Sequence, residues 1–304
     1  MFLKSCDLNE HGIQLPHTES DKLVKMQGMI FHQIREVKMQ PLPREVQSLN
    51  QCDCSCTSES ACRPGEGFYH RLPASCKEIW ENSRIRVDGP FYIRADPPAK
   101  YANVFCHMTP IPGCGDGGWT LVMKINGSKQ TFTFSSTYWN NTIAYDEAAG
   151  TTLVDAETKL SSFWSTPFNR LCLGMKDLRK ADEGTNWIAL NYKGSSLRDI
   201  IGNGTFQATN VNSTQWLKLL NNSKIMDGCQ WQGFNSINEK YHFQNGPRAR
   251  IGIIGAPKHC NQTAESRIGF GTSGNFFGMD DSNTCGNEFK EENSIKAFGY
   301  IFVQ

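Results

Sequence analysis

The sequence predicts an α+β domain over residues 74–304, with mixed antiparallel sheets, short helices and long loops stapled by disulfides. Strand-like runs rich in β-branched and aromatic residues outnumber helical ones, and no internal repeat is visible. The strand-like runs are residues 119–125, 171–175, 187–192, 250–254, 267–270 and 297–303. The helical candidates are residues 196–201 and residues 214–220, the second with Ser213 as its N-cap.

Two cysteines near the start of this domain are placed to form a disulfide. Cys76 opens a short helical turn over residues 77–81, and a Gly-Pro pair at Gly89 breaks the chain before an aromatic strand over residues 91–93. The chain then returns and brings Cys106 within reach of Cys76. The sequence therefore predicts a Cys76–Cys106 bond that closes a small loop.

Composition excludes two classes of partner. The 304 residues carry 31 basic and 30 acidic side chains, which gives no electrostatic reason to expect nucleic acid or an anionic membrane surface. Apolar runs also fall short of the roughly 20 residues that span a bilayer. With 18 Phe and 7 Trp, the chain can build a substantial core.

Cysteines and glycosylation sequons indicate a secreted, extracellular glycoprotein. Twelve cysteines make disulfides in an oxidising compartment the default interpretation. Asn-x-Ser/Thr sequons, which accept N-linked glycans, begin at Asn126, Asn140, Asn203, Asn212, Asn221 and Asn261.

The first 37 residues raise the question of where the protein begins. Lys4 follows Met1 too closely for the roughly 7–15-residue apolar stretch of a signal peptide. Either export is unconventional or the true start lies upstream, and we favour the second. Residues 1–37 resemble the closing part of a PAN/apple-like module at Cys6, Leu8, Asn9, Gly28 and Phe31. The alternatives are disorder or an amphipathic helix that presents Leu23, Met26, Ile30 and Ile34.

Residues 38–73 have the composition of a cysteine-rich linker. Prolines alternate there with four cysteines, Cys52, Cys54, Cys56 and Cys62. Disulfides are favoured over a thiolate metal site, which usually needs CxxC pairs or nearby histidines. Thiols near a symmetry axis can also bond between chains, so the linker suggests a disulfide-linked homo-oligomer.

The region from Ser75 to Val122 resembles the start of a fibrinogen C-terminal-like domain. The resemblance is carried by the two bonded cysteines, by the aromatic strand between them, and by the Gly-Gly-Trp-Thr-Leu-Val segment from Gly117. Fibrinogens, ficolins, angiopoietins and intelectins share this module. It implies a binding protein that takes sugars, proteins or matrix components outside cells and catalyses no reaction.

A narrower resemblance covers residues 75–304. Residues 163–176, 283–288 and 296–304 are similar to cnidarian fibrinogen-like proteins, including uncharacterised skeletal organic matrix proteins of stony corals. This similarity implies a structural or binding protein of the extracellular matrix, in the organic matrix of a calcified skeleton. The alternative is a calcium-dependent, lectin-like recognition protein of the ficolin or intelectin type.

Seven cysteines fall in the domain, so at least one is left over. They are Cys76, Cys106, Cys114, Cys172, Cys229, Cys260 and Cys285. The fibrinogen-like pattern implies a Cys260–Cys285 bond. An intelectin-like pattern implies Cys229–Cys260 instead, with Cys285 bonded to an earlier cysteine such as Cys114. The sequence leaves both open.

The segment over residues 269–292 is the predicted metal site. Asp280, Asp281 and Asn283 place two carboxylates and an amide close together on a glycine-flanked loop, and Glu288 adds a further carboxylate. Calcium takes several such oxygen ligands. The same residues also make a good turn, which is the competing interpretation. Calcium is therefore the one cofactor that we expect, and we expect no organic cofactor.

A ligand-binding surface is predicted beside this loop. His259, Phe276 and Phe277 could stack on the apolar face of a sugar or hold an acetyl group. Core packing of the two phenylalanines is the alternative. The sequence has no Gly-x-Ser-x-Gly, His-Glu-x-x-His or Walker motif, so the protein is not expected to be an enzyme.

Overall fold

A computed structural model of the chain describes residues 23–26, 29–32, 72–180, 182–238, 246–258, 260–274, 283–290 and 293–304. Several predicted residues lie outside these ranges: Cys6, Cys52, Cys54, Cys56, Cys62, His259, Phe276, Phe277, Asp280 and Asp281. In the first 37 residues, β1 (Leu23–Met26) and β2 (Met29–His32) pair antiparallel. The helical alternative for this segment is therefore wrong.

From residue 72 onward, twelve strands are described, and every pairing between them is antiparallel. They are β3 (Gly89–Arg94), β4 (Tyr101–His107), β5 (Trp119–Asn126), β6 (Thr158–Lys159), β7 (Phe168–Asp177), β8 (Asn186–Gly194), β9 (Gln207–Ala208), β10 (Cys229–Ser236), β11 (Arg248–Ala256), β12 (Ser266–Ser273), β13 (Cys285–Phe289) and β14 (Asn293–Val303). All six predicted strand-like runs fall within these strands.

The helices of the described chain are short. They are α1 (Cys76–Asn82), α2 (Ser162–Ser165), α3 (Leu197–Ile201) and α4 (Ser213–Leu217), with 3-10 turns at Thr137–Trp139 and Ala148–Thr151. The domain is therefore mostly antiparallel sheet, and helices this short do not establish the predicted α+β class.

Polar side chains fix where three of these helices begin. Ser75 accepts a hydrogen bond from the backbone N–H of Glu78 at the start of α1, and Ser196 caps α3 in the same way. In α4 the prediction of Ser213 as the cap is wrong. Asn212 is the cap, because its side chain accepts from the N–H of Gln215 while the Gln215 side chain accepts from the N–H of Asn212.

β14 joins two sheets. Its first part, residues 293–296, pairs with β13, whereas residues 297–303 lie between β5 and β7. One sheet therefore runs β3-β4-β5-β14-β7-β8, with β6 beside β5, and the other runs β14-β13-β12-β11-β10-β9. Residues 297–303 are buried throughout, which explains why their sequence is apolar at consecutive positions rather than alternating.

Two buried clusters make up the core. The larger contains Trp139, Phe163 and Trp216, and packs the short helices against β7, β11 and β14. The smaller contains Trp119 and Phe298 and surrounds the first disulfides.

Three disulfides are present in the described residues. Cys76 bonds Cys106, as predicted from the sequence, with Cα atoms 5.5 Å apart. The other two bonds are Cys114–Cys172 and Cys229–Cys260, with Cα atoms 5.6 Å and 5.0 Å apart.

The implied Cys260–Cys285 bond is wrong, and so is its alternative from Cys285 to Cys114. Cys285 is a free thiol buried against β14, where a Cβ on Gly299 would lie 2.5 Å from its Sγ atom. Cys260 instead lies exposed in the connection after β11, and Cys229 is on the neighbouring strand, paired with Ala256. The two sulfurs of the implied bond therefore sit in different environments, one in the core and one at the surface.

Candidate functional site

A row of side chains crosses four adjacent strands and forms the floor of the candidate site. Lys124 on β5 lies opposite Tyr300 on β14, Tyr300 lies opposite Gly174 on β7, and Gly174 lies opposite Trp187 on β8. Residues directly opposite in an antiparallel pair point to the same face of the sheet. These four residues therefore share one face although they are far apart in the sequence.

Gly174 makes room for the indole of Trp187. A Cβ at Gly174 would lie 2.3 Å from an atom of the Trp187 ring, so any larger residue would collide with it. The indole lies across this strand and approaches Tyr300 and Phe302, with ring centroids 5.7 Å and 5.9 Å away. The missing side chain thus leaves space for a half-buried aromatic ring over β7.

The segment after the 3-10 turn at Ala148–Thr151 forms the opposite wall. The hydroxyl of Tyr300 donates to Asp155 Oδ1 at 2.5 Å, and the carbonyl oxygen of Leu153 lies 3.3 Å from the same hydroxyl. Lys176 Nζ donates to Asp155 Oδ2 at 2.9 Å. Two neighbouring strands therefore hold this segment through one carboxylate.

Between the indole and this segment lies an open cavity of about 380 Å³. Leu153, Asp155, Lys176, Trp187 and Tyr300 line it, together with residues 182–185 of the β7–β8 connection. The size suits a single sugar ring or one side chain of a partner. The lining combines an aromatic face with a carboxylate, an ammonium group and a phenol, so it can contact both apolar and polar parts of one ligand.

Asp155 and Tyr300 keep fixed protonation states around neutral pH. Burial pushes the pKa of Asp155 upward, but hydrogen bonds from Tyr300 and Lys176 and the charges of Lys176 and Lys124 outweigh burial, so its pKa lies below the usual value. Burial and the hydrogen bond to Asp155 raise the pKa of Tyr300. The cavity therefore presents a permanent carboxylate and a permanent neutral phenol.

The rim of the cavity carries a further charged group and a sequon. Glu183 pairs with Lys180, 2.6 Å away, and also accepts from Asn221 Nδ2 at 3.2 Å. Asn221 is exposed, as are the sequon residues Asn140, Asn203, Asn212 and Asn261, whereas Asn126 is half-buried. A glycan on Asn221 would stand at the edge of the cavity.

Two of the four predicted calcium ligands lie in the described chain, and they are engaged in different ways. Glu288 is buried in an ion pair with Arg267, which gives its carboxylate a structural role. Asn283 is also buried, and its Nδ2 donates to the carbonyls of Asn287 and Ile295. Its Oδ1 has no hydrogen-bond partner among the described residues. No group of three or more metal-ligating side chains occurs in this part of the chain.

Asp155, Trp187 and Tyr300, which define the cavity, were not among the sequence candidates. Asp155 and Trp187 each lie more than a hundred positions from Tyr300, and nothing local marks the three as a set. One signal was present: Gly174 interrupts an otherwise apolar strand, and a glycine in a strand interior often marks a close approach by another group.

Comparisons with known proteins give little further guidance. No known family profile matches this sequence. Among solved structures, a similar chain comes from the lamprey fibrin D-dimer complexed with the peptide ligand Gly-His-Arg-Pro-amide, with 16% sequence identity and a TM-score of 0.26. The match covers 48% of this chain and 42% of the lamprey chain. A similarity this weak supports no conclusion about the fold or the function of this chain.

Among the described residues, no helix is both long enough and apolar enough to cross a bilayer.

Proposed function

We propose that this chain is a secreted, non-enzymatic binding protein of the extracellular matrix, in the organic matrix of a calcified skeleton. It holds its ligand in the cavity between Trp187 and Asp155. The single observation that carries the proposal is this cavity: an aromatic wall and fixed polar groups on a continuous sheet. The three disulfides of the described residues are consistent with secretion.

The chemistry of the cavity favours binding over catalysis. A general acid or base works best when its pKa lies near the operating pH. The pKa of Asp155 is shifted down and that of Tyr300 is shifted up, so both move away from neutrality. Tyr300 donates its hydrogen bond to Asp155, and Asp155 also accepts one from Lys176. These fixed hydrogen bonds make both groups good positioning groups and poor proton carriers.

Binding by a Trp187→Ala variant tests this proposal. Wild-type protein and the variant would be applied to immobilised glycans, chitin, collagen and acid-insoluble skeletal matrix. Removal of the indole should weaken binding by about tenfold or more, because buried aromatic anchors dominate interface energies. Tyr101→Ala is the matched control, since Tyr101 is 43% exposed on β4 and does not line the cavity. If wild type and Trp187→Ala bind equally well, the ligand is not held in this cavity.

A second candidate function is calcium-dependent, lectin-like recognition, and one observation favours it. The Oδ1 atom of Asn283 is buried without a hydrogen bond from the described residues, and such an acceptor is costly unless a donor or cation satisfies it. Asn283 lies two positions after Asp281 in the sequence. Asn283 therefore fits a calcium ligand, whereas the ion-paired Glu288 does not.

Calcium binding can be tested without knowledge of the glycan. If calcium binds only the native state, calcium at 100 times Kd should raise the free energy of unfolding by about 2.7 kcal/mol. The thermal midpoint should rise with it, and chelator should reverse the effect. Asp281→Asn should abolish the response while Glu288→Gln should not. A midpoint indifferent to calcium and chelator would leave Asp280 and Asp281 as a turn.

A further inference from the structure

A buried ammonium group lies beneath the wall of the cavity. Lys124 is 0% exposed, and its Nζ donates to the carbonyl oxygens of Ala149, Thr152 and Val154 at 2.8, 3.0 and 2.6 Å. An ammonium has three N–H donors, so each is matched by one carbonyl. Burial lowers the pKa of Lys124 to about 8, although the negative charges of Asp155 and Asp146 act to raise it. The ammonium group is therefore mostly charged at neutral pH.

The three carbonyls converge because the segment turns around the ammonium. Ala149 lies in the 3-10 turn at Ala148–Thr151, and Thr152 and Val154 follow it at alternate positions. Carbonyls at the end of a helical turn lack partners within the turn and carry partial negative charge, which applies to Ala149 and Thr152, whereas the Val154 carbonyl also accepts from the N–H of Ala156 at 2.7 Å. Backbone oxygens gathered around one positive charge are also the ligand set that hard metal ions use.

The same segment faces the cavity with its other residues. Thr152 and Val154 direct their carbonyls to Lys124, while the intervening Leu153 and the following Asp155 meet Tyr300. Lys124 and Tyr300 are themselves opposite each other on β5 and β14. Two neighbouring side chains of the sheet thus hold the two sides of one extended segment.

We propose that the carbonyls of Ala149, Thr152 and Val154 form a cation site that the Lys124 ammonium occupies, and that a free primary ammonium ion takes its place when this side chain is shortened. In the native chain Lys124 acts as a tethered structural cation and a positioning residue for Leu153 and Asp155. The consequence for ligand binding rests on the proposed function, but the cation site itself does not.

Chemical rescue of Lys124→Ala tests the site. The variant lacks three methylenes and the ammonium, which together correspond to propylammonium. Hydrogen exchange of residues 149–156 should be at least about tenfold faster in the variant than in the wild type, because the segment has lost its anchor. Propylammonium chloride should restore slow exchange and raise the thermal midpoint. Tetramethylammonium, which has no N–H donor, should do neither.

Controls separate the cation site from general effects. Lys176→Ala removes a partly exposed ammonium from the same face, and propylammonium should leave its exchange and midpoint unchanged. If Lys124→Ala does not fold alone, its refolding yield with and without propylammonium becomes the readout. Absence of rescue, or equal rescue by tetramethylammonium, would overturn the proposal. If propylammonium rescues Lys124→Ala but Trp187→Ala binds as well as the wild type, only the proposed ligand cavity would be overturned.

Discussion

At the scale of single residues, the domain buries two lysines, Lys124 and Lys159, and neither forms an ion pair with a carboxylate of the described residues. Lys159 is fully buried, and its Nζ donates to the backbone oxygen and to Oδ1 of Asn141, both at 2.8 Å. The ring centroids of Phe163 and Trp164 lie 5.0 Å and 5.3 Å from the same nitrogen. Burial, and then the charge of Arg198, lower the pKa of Lys159 to about 7. The cost of keeping this group charged in the fold should therefore be visible in the pH dependence of stability.

The free energy of unfolding should rise with pH between about 6.5 and 8.5. The unfolded chain keeps Lys159 protonated up to its ordinary pKa of 10.5, while the folded chain releases the proton near pH 7, so the unfolded state binds more protons in this window. Lys159 alone should contribute roughly 1–2 kcal/mol across the window, and Lys124 adds a smaller part in the same direction. Urea unfolding at several pH values measures the slope.

Lys159→Met should flatten this slope, and Lys176→Met should not, since Lys176 is partly exposed. Asp155 and Asp177, whose pKa values are lowered, affect stability only as the pH falls towards 4 and do not disturb the window. Burial raises the pKa of Cys285, which acts in the opposite direction above about pH 9. A wild-type slope that is flat, or that Lys159→Met leaves intact, would contradict the assignment.

At the scale of elements, the cavity depends on the register of four strands. β14 brings Tyr300 between Lys124 and Gly174, and β8 then places Trp187 beside the glycine. A shift of one residue in any of these pairings would move the side chain to the other face of the sheet. The cavity is therefore a property of the sheet as a whole, and the connecting segments only complete it.

Gly174→Ala should distort this arrangement. The new Cβ would lie 2.3 Å from the Trp187 ring, which must move, and overpacking of this kind typically costs about 1–3 kcal/mol. Denaturant unfolding measures the loss, and near-ultraviolet circular dichroism reports the altered indole. The variant should also lose binding to any ligand that Trp187→Ala fails to bind.

Gly184→Ala is the matched control for this change. Gly184 lines the same cavity, and a Cβ there has nothing within 4 Å. The substitution should change stability by less than about 0.5 kcal/mol. If Gly174→Ala were as stable as Gly184→Ala with an unchanged spectrum, Trp187 would not be packed against β7.

At the scale of the whole molecule, the disulfides differ in exposure. Cys76–Cys106 and Cys114–Cys172 are buried, whereas Cys260 is exposed and Cys229 half-buried. The linker cysteines lie outside the described residues, so the disulfide-linked homo-oligomer stays a prediction. The disulfides within the domain, however, can be ordered by their access to solvent.

Mild reduction of native protein should open Cys229–Cys260 first. Alkylation followed by peptide mapping should find these two sulfurs modified, while the buried pairs and the free thiol of Cys285 react only after unfolding. Loss of a bond that closes a 31-residue separation should reduce stability by roughly 3–4 kcal/mol. Early labelling of Cys76, Cys172 or Cys285 would show that the core is more accessible than the structure indicates.

Local patterns in the sequence determined much of the fold. Apolar runs identify the strands because a buried strand is continuous in the chain, and the Cys76–Cys106 bond follows from a short return of the chain between its two ends. The same local reasoning placed a helix near Ser213 but chose the wrong cap, since Asn212 and Ser213 are both good capping residues. It also found an acidic loop and sequons, which are contiguous motifs.

Only the tertiary structure decided the disulfide pairing and the cavity. Cys260 lies 31 residues from Cys229 and 25 from Cys285, and which sulfur it meets depends on the packing of β10 and β11 rather than on spacing. Lys124 and Tyr300 are separated by 176 positions (300 − 124) and become neighbours because β14 inserts between β5 and β7. Such long-range pairings arise from the burial of whole strands, and that information is spread over the chain instead of being written in any one segment.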